Sequence, residues 1–109
     1  MKSIEQWCAD IHKLATEKGW WDTDRKFPEV VALIHSEISE AFEEWRLGWD
    51  SAEFSVLPGK PCGLSIELAD AVIRIMDYCE HVGIDLEEAI RIKHEYNKTR
   101  LYRHGDKQA

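Results

Sequence analysis

The sequence predicts an all-α fold of four helices packed as a bundle, on three observations. Apolar residues recur three and four apart through four separate segments. Residues that start and stop helices bracket those segments, and no stretch shows a convincing strand alternation. At 109 residues the chain has the commonest size for a single domain, covering 1–109, and 44% hydrophobic content is enough for one core.

The first helix is expected from about Ser3 to Lys18. Ser3 and Gln6 form a capping-box pattern, Ile4, Trp7, Ile11, Leu14 and Ala15 make its apolar stripe, and Gly19 ends it. The second opens at Pro28, a favoured first helical position, and runs to about Leu47 before Gly48. Its stripe is Val30, Val31, Ile34, Ile38, Ala41, Phe42 and Trp45. The segment 49–61, with Pro58, Gly59 and Pro61, is too long for a tight helical connection and reads as a loop with room for function. The third helix spans about Gly63 to His81 and stops at Gly83; the fourth opens with the capping pattern Asp85/Glu88 and continues to about Tyr102.

The third helix is unusual. Leu64, Leu68, Ala71, Val72, Ile75 and Cys79 form one stripe, while Ile66 and Ile73 project from another side. A helix apolar on several sides is buried on several sides. In so short a chain, the expected cover is a second subunit, so the bundle is expected to be completed as a homodimer or a dimer of dimers.

Charge and cysteine usage narrow the function. A net charge of −7 argues against general nucleic-acid binding, which needs a basic footprint, but leaves small anionic substrates open because a bound metal reverses the local sign. Apolar runs are short, so no membrane span is expected, and the N-terminus lacks a signal-peptide pattern. Cys8, Cys62 and Cys79 have no metal-type spacing and read as reduced thiols, two of them buried in helices, which suits a cytoplasmic protein.

The chemistry-bearing feature is a pair of carboxylate pairs, Glu37/Glu40 and Glu67/Asp70, each at i, i+3 on a predicted helix. Residues so spaced share a helix face, and two packed helices can aim four carboxylates at one point. Hard oxygen donors without Cys or His suit Mg²⁺ or Mn²⁺. On spacing alone, solvated helix faces paired with Arg46 and Arg74 remain open as the alternative. A di-iron bundle fits less well, because the Glu-x-x-His pairs such sites use are not visible.

These residues resemble a family. Glu37-x-x-Glu40, a gap of 26 residues, then Glu67-x-x-Asp70 is similar to the motif of the all-α nucleoside triphosphate pyrophosphohydrolases, most of all the short single-domain MazG-like proteins. The likeness extends to Gly59-Lys60-Pro61 with Gly63, to Ile66–Asp70, and to Lys93-His94-Glu95-Tyr96-Asn97-Lys98-Thr99-Arg100 with His104-Gly105. Cys62 and Asp106 depart from it, standing where relatives often have an acidic residue and a second glycine. The resemblance implies hydrolysis of (deoxy)nucleoside triphosphates between the α and β phosphates. Glu37, Glu40, Glu67 and Asp70 would hold Mg²⁺, and one of them, or Glu43 or Glu44, would take the proton of the attacking water. It further implies a role in clearing the nucleotide pool.

Lys93, Asn97 and Arg100 share a face of the fourth helix, with Tyr96 beside them. They read either as a solvated helix end or, with the resemblance, as a phosphate clamp, extended by Arg103, His104 and Lys107 toward a neighbouring subunit. Among five tryptophans, Trp7 and Trp45 fall on apolar stripes and are expected in the core. Trp20 and Trp21 follow Gly19, where one can stack on a nucleobase or both can be buried at a subunit contact. Trp49 is open between the same roles, Lys60 reads as a solvated turn lysine ahead of one that approaches the phosphates, and His12 and His35 read as packed or surface histidines. A non-catalytic dimerisation or regulatory module of the same fold is the competing function. It predicts the loss of at least one acidic position, and all four are filled.

Overall fold

A computed structural model describes residues 1–48, 55–57 and 60–102. Trp49, Arg103, His104 and Lys107, which carry expectations above, lie outside the described residues. Helix α1 (Ile4–Glu17) opens with the full capping box: Gln6 N donates to Ser3 Oγ at 3.1 Å and Ser3 N donates to Gln6 Oε1 at 2.7 Å. Gly19 then turns the chain with φ +86°, where an added Cβ would meet an Asp22 carboxylate oxygen at 3.0 Å. Helix α2 (Phe27–Arg46) carries Pro28 in its first turn, where a missing N–H costs nothing.

The stretch read as a loop contains strand structure. β1 (Ser55–Leu57) and β2 (Lys60–Cys62) pair antiparallel, with Val56 opposite Pro61 and Leu57 opposite Lys60. Three residues per strand are too few to display a period of two, which is why the pattern was silent. β2 packs on helix α3 (Leu64–Val82) and feeds it through Gly63, whose φ of +114° is open to glycine. At the far end, left-handed Gly83 closes α3, and Ile84 N donates back to Cys79 O at 2.8 Å.

Helix α4 (Leu86–Lys98) has half of the expected capping box. Asp85 accepts from Glu88 N at 3.0 Å, while the Glu88 carboxylate turns to Arg91. The helix ends at Lys98 rather than near Tyr102. Thr99 bonds the Tyr96 carbonyl through both its N–H and its hydroxyl, and no residue of α4 is buried, so no packing holds a further turn.

Helix α3 is the central element, with α2 on one flank and α1 on another, while α4 packs on α1. Part of the second cover inferred for α3 is therefore α1 of the same chain. The buried residues of the seams are small or acidic: Val30, Glu37 and Ala41 on α2, Glu67, Ala71 and Cys79 on α3, and Cys8 on α1. Alanines let the helices approach closely, and that places the two glutamates inside the α2–α3 seam. The large apolar side chains point the other way. Trp7 and Trp45, expected in the core, are 46% and 54% exposed, and Leu14, Ile38, Phe42, Leu68, Val72 and Ile75 are also exposed. The periodicity located an apolar face correctly, but among the described residues this face is not covered within one chain. Among the described residues, no helix is long and apolar enough to cross a membrane.

Candidate metal centre and adjoining cleft

Glu37, Glu67 and Asp70 each bring one carboxylate oxygen to within 4.8 Å of the others. Glu37 sits midway along α2, and Glu67 and Asp70 occupy successive turns of α3, so the α2–α3 packing creates the cluster. Glu37 and Glu67 are only 7% and 9% exposed, unlike the acidic groups that scatter over any surface. Glu40, the fourth expected ligand, lies at the exposed rim and joins through a hydrogen bond with Glu67.

The electrostatics of this cluster are strained. Glu67 has its pKa raised from 4.5 to about 7, first by burial, then by the hydrogen bond to Glu40, then by the charges of Asp70, Glu40 and Glu37. A hydrogen bond that raises an acid's pKa is one that favours its protonated form, so Glu40 helps to hold the proton on Glu67. Arg74, one turn beyond Asp70, donates Nε–H to Glu37 Oε1 at 2.9 Å. The other Glu37 oxygen, Oε2, is buried and has no donor among the described residues. Arg74 therefore serves one oxygen of Glu37, and among the described residues the buried acceptor on the other is left without a partner. These residues fit a hard divalent cation: all donors are oxygens, two carboxylates are nearly buried, and one buried lone pair is unused.

A cleft of ≈ 530 Å³ opens beside the acids. Trp7, Ile11, Leu14 and Ala15 of α1 form its apolar wall, and Glu37, Asp70, Arg74 and Asp77 line it from α2 and α3. The Arg74 guanidinium lies 4.8 Å from the Trp20 ring centre, and Arg25 lies 5.0 Å from the same ring. The two adjacent tryptophans take different roles. Trp21 donates its indole N–H to Asp77 at 3.0 Å and stacks on His81 at 3.6 Å, whereas Trp20 lines the cleft and is 39% exposed. His12 is a packed histidine, its Nδ1 2.8 Å from Asp77 Oδ1, while His35 is exposed.

Lys93, Tyr96 and Asn97 lie on α4, whereas Arg100 falls beyond its end at Lys98 and so is not on the helix face expected for it; Lys93 Nζ lies 4.8 Å and the Arg100 guanidinium 5.9 Å from the Tyr96 ring centre. They are separate from the acids: side chains of α1, α2 and α3 line the cleft, and none from α4. Of the alternative bases, Glu43 is engaged by Arg46 at 3.2 Å and Glu44 is half-buried on α2. Sequence reasoning passed over Asp77 and His81. Asp77 was detectable, because Asp70, Arg74 and Asp77 follow one another at helical spacing along a single face of α3.

No protein-family model, curated protein or solved structure matches the chain.

Proposed function

We propose that the protein is a Mg²⁺-dependent nucleoside triphosphate pyrophosphohydrolase releasing the monophosphate and pyrophosphate. The observation that carries this reading is the convergence of Glu37, Glu67 and Asp70 within 4.8 Å, with two of them buried. Buried like charges are tolerated only when protonated or when a cation neutralises them. The resemblance of the two acidic pairs and of the Lys93–Arg100 segment to MazG-like enzymes selects the reaction among those a carboxylate-held cation serves.

Glu37, Glu40, Glu67 and Asp70 would hold Mg²⁺, with Mn²⁺ as a substitute. The cation would neutralise phosphate charge and lower the pKa of the attacking water. Arg74 keeps Glu37 oriented toward the centre. Glu67, with its pKa raised to about 7 and its hydrogen bond to Glu40 at the rim, is the group suited to accept a proton from the attacking water. Lys93, Asn97 and Arg100 supply donors for the phosphates. Because α4 lines no part of the cleft in its own chain, they act at the site of a neighbouring protomer, in a homodimer or a dimer of dimers. The uncovered faces of α2 and α3, with Ile38, Phe42, Leu68 and Val72, are the surfaces that such an assembly buries. The test is incubation of the purified protein with a panel of dNTPs and Mg²⁺, with pyrophosphate as the readout. Release that depends on metal supports the proposal; no release from any nucleotide by folded, metal-loaded protein overturns it.

A further inference from the structure

Among the described residues, Asp77 is the one carboxylate lining the cleft that stands apart from the acidic centre. It lies seven residues beyond Asp70 on α3, two turns along the same face, or about 10.5 Å at the helical rise. Arg74 sits between them, bonded to Glu37 and stacked against Trp20. A nucleotide with its α-phosphate at the acidic centre therefore reaches along the cleft with its base toward Asp77, past the apolar wall of α1.

The hydrogen bonds of Asp77 define what it can read. His12 and Trp21 both reach Oδ1, at 2.8 and 3.0 Å, and Oδ2 receives only the second arm of the Trp21 bond, at 3.1 Å. A carboxylate offers acceptors alone, with about four lone-pair sites. Acceptor capacity thus remains on Oδ2. His12 from α1 and Trp21 from the α1–α2 connection also hold the carboxylate in one rotamer, and the side chain is only 14% exposed. An acceptor fixed before the ligand arrives discriminates strongly, because a mismatched edge leaves it unpaired or facing a like dipole.

We infer that Asp77 reads the nucleobase and selects bases with an exocyclic amino group over uracil and thymine, by accepting a hydrogen bond from that amino group. This rests on the pyrophosphohydrolase reading. Cytosine and adenine present an amino donor where uracil and the unsubstituted purine present a carbonyl acceptor or nothing. His12 and Trp21 are positioning residues for Asp77.

The test compares kcat/KM of the wild-type protein with Mg²⁺ for dCTP against dUTP, and for dATP against the purine deoxynucleoside triphosphate lacking the amino group. The expected result is a preference of about tenfold or more for the amino-bearing member of each pair. Asp77→Asn, which puts an amide donor in the same place, narrows each ratio to within about threefold while circular dichroism stays unchanged. Equal or better turnover of dUTP, or an unaltered ratio in a folded Asp77→Asn variant, overturns the assignment and leaves the hydrolase reading standing. Should Asp77→Asn fail to fold, the wild-type ratios decide by themselves. No hydrolysis of any nucleotide removes the hydrolase reading and this inference with it.

Discussion

Replacing Glu67 by Gln removes a charge from the centre of the α2–α3 seam while keeping the shape and a donor for Glu40. An acid whose pKa is raised in the fold makes the folded state the stronger proton binder. The cost of Glu67 is therefore absent below its unfolded value of 4.5 and grows as pH rises to about 7, where it levels off. That gap, at 1.36 kcal/mol per pH unit, corresponds to about 3 kcal/mol. A domain of this size gains about 4–8 °C of Tm per kcal/mol, so the variant should melt about 12–24 °C above the metal-free wild type at pH 8. At pH 4.5 the two should melt together. Magnesium should erase the difference, because a cation at a hundred times its Kd stabilises only the wild type, by about 2.7 kcal/mol. The assay is thermal unfolding by circular dichroism at one protein concentration, at both pH values, with and without Mg²⁺. A Glu67→Gln variant that melts at or below the wild type at pH 8, together with a wild type indifferent to Mg²⁺, would refute the claim that these carboxylates form a strained cation site.

Glu40→Ala and Asp70→Ala should each abolish pyrophosphate release while leaving helicity nearly intact, since one is exposed and the other half-buried. Arg74→Ala should destabilise by about 1–3 kcal/mol, seen as a lower urea midpoint, because Glu37 loses the donor on Oε1. If α4 serves a neighbouring site, mixing and refolding the inactive variants Glu40→Ala and Arg100→Ala should restore about a quarter of wild-type activity, since half of the dimers are mixed and each has one intact site. Unmixed samples should stay inactive. Ser3→Ala should lower stability by about 1 kcal/mol through loss of the capping box on α1, measured by denaturant unfolding.

The four helices and most of their ends were legible because their determinants are local. Ser3/Gln6, Pro28, Gly83 and Asp85 act on backbone groups within a turn of themselves, so the spacing along the chain carries the whole signal. The hairpin at 55–57 and 60–62 and the early end of α4 were not legible. One is too short to show a period, and the other depends on how little α4 buries. The same distinction runs through the site. Two i, i+3 acidic pairs announced four carboxylates on two helix faces, and the sequence could go no further than leaving metal and solvent both open. Only the packing of α3 against α2, made close by Ala41 and Ala71, put Glu37 and Glu67 in the seam and drove the pKa of Glu67 to about 7. Likewise, Trp7 and Trp45 carry a core pattern, yet burial is decided by what lies opposite, and among the described residues nothing covers them fully. Trp20 and Trp21 are indistinguishable as neighbours in sequence; Asp77, 56 residues away from Trp21, separates them by engaging one indole and leaving the other at the cleft. Chemistry set by spacing was readable from the chain alone, whereas burial, and every property that burial confers on a charge, was decided by tertiary contact.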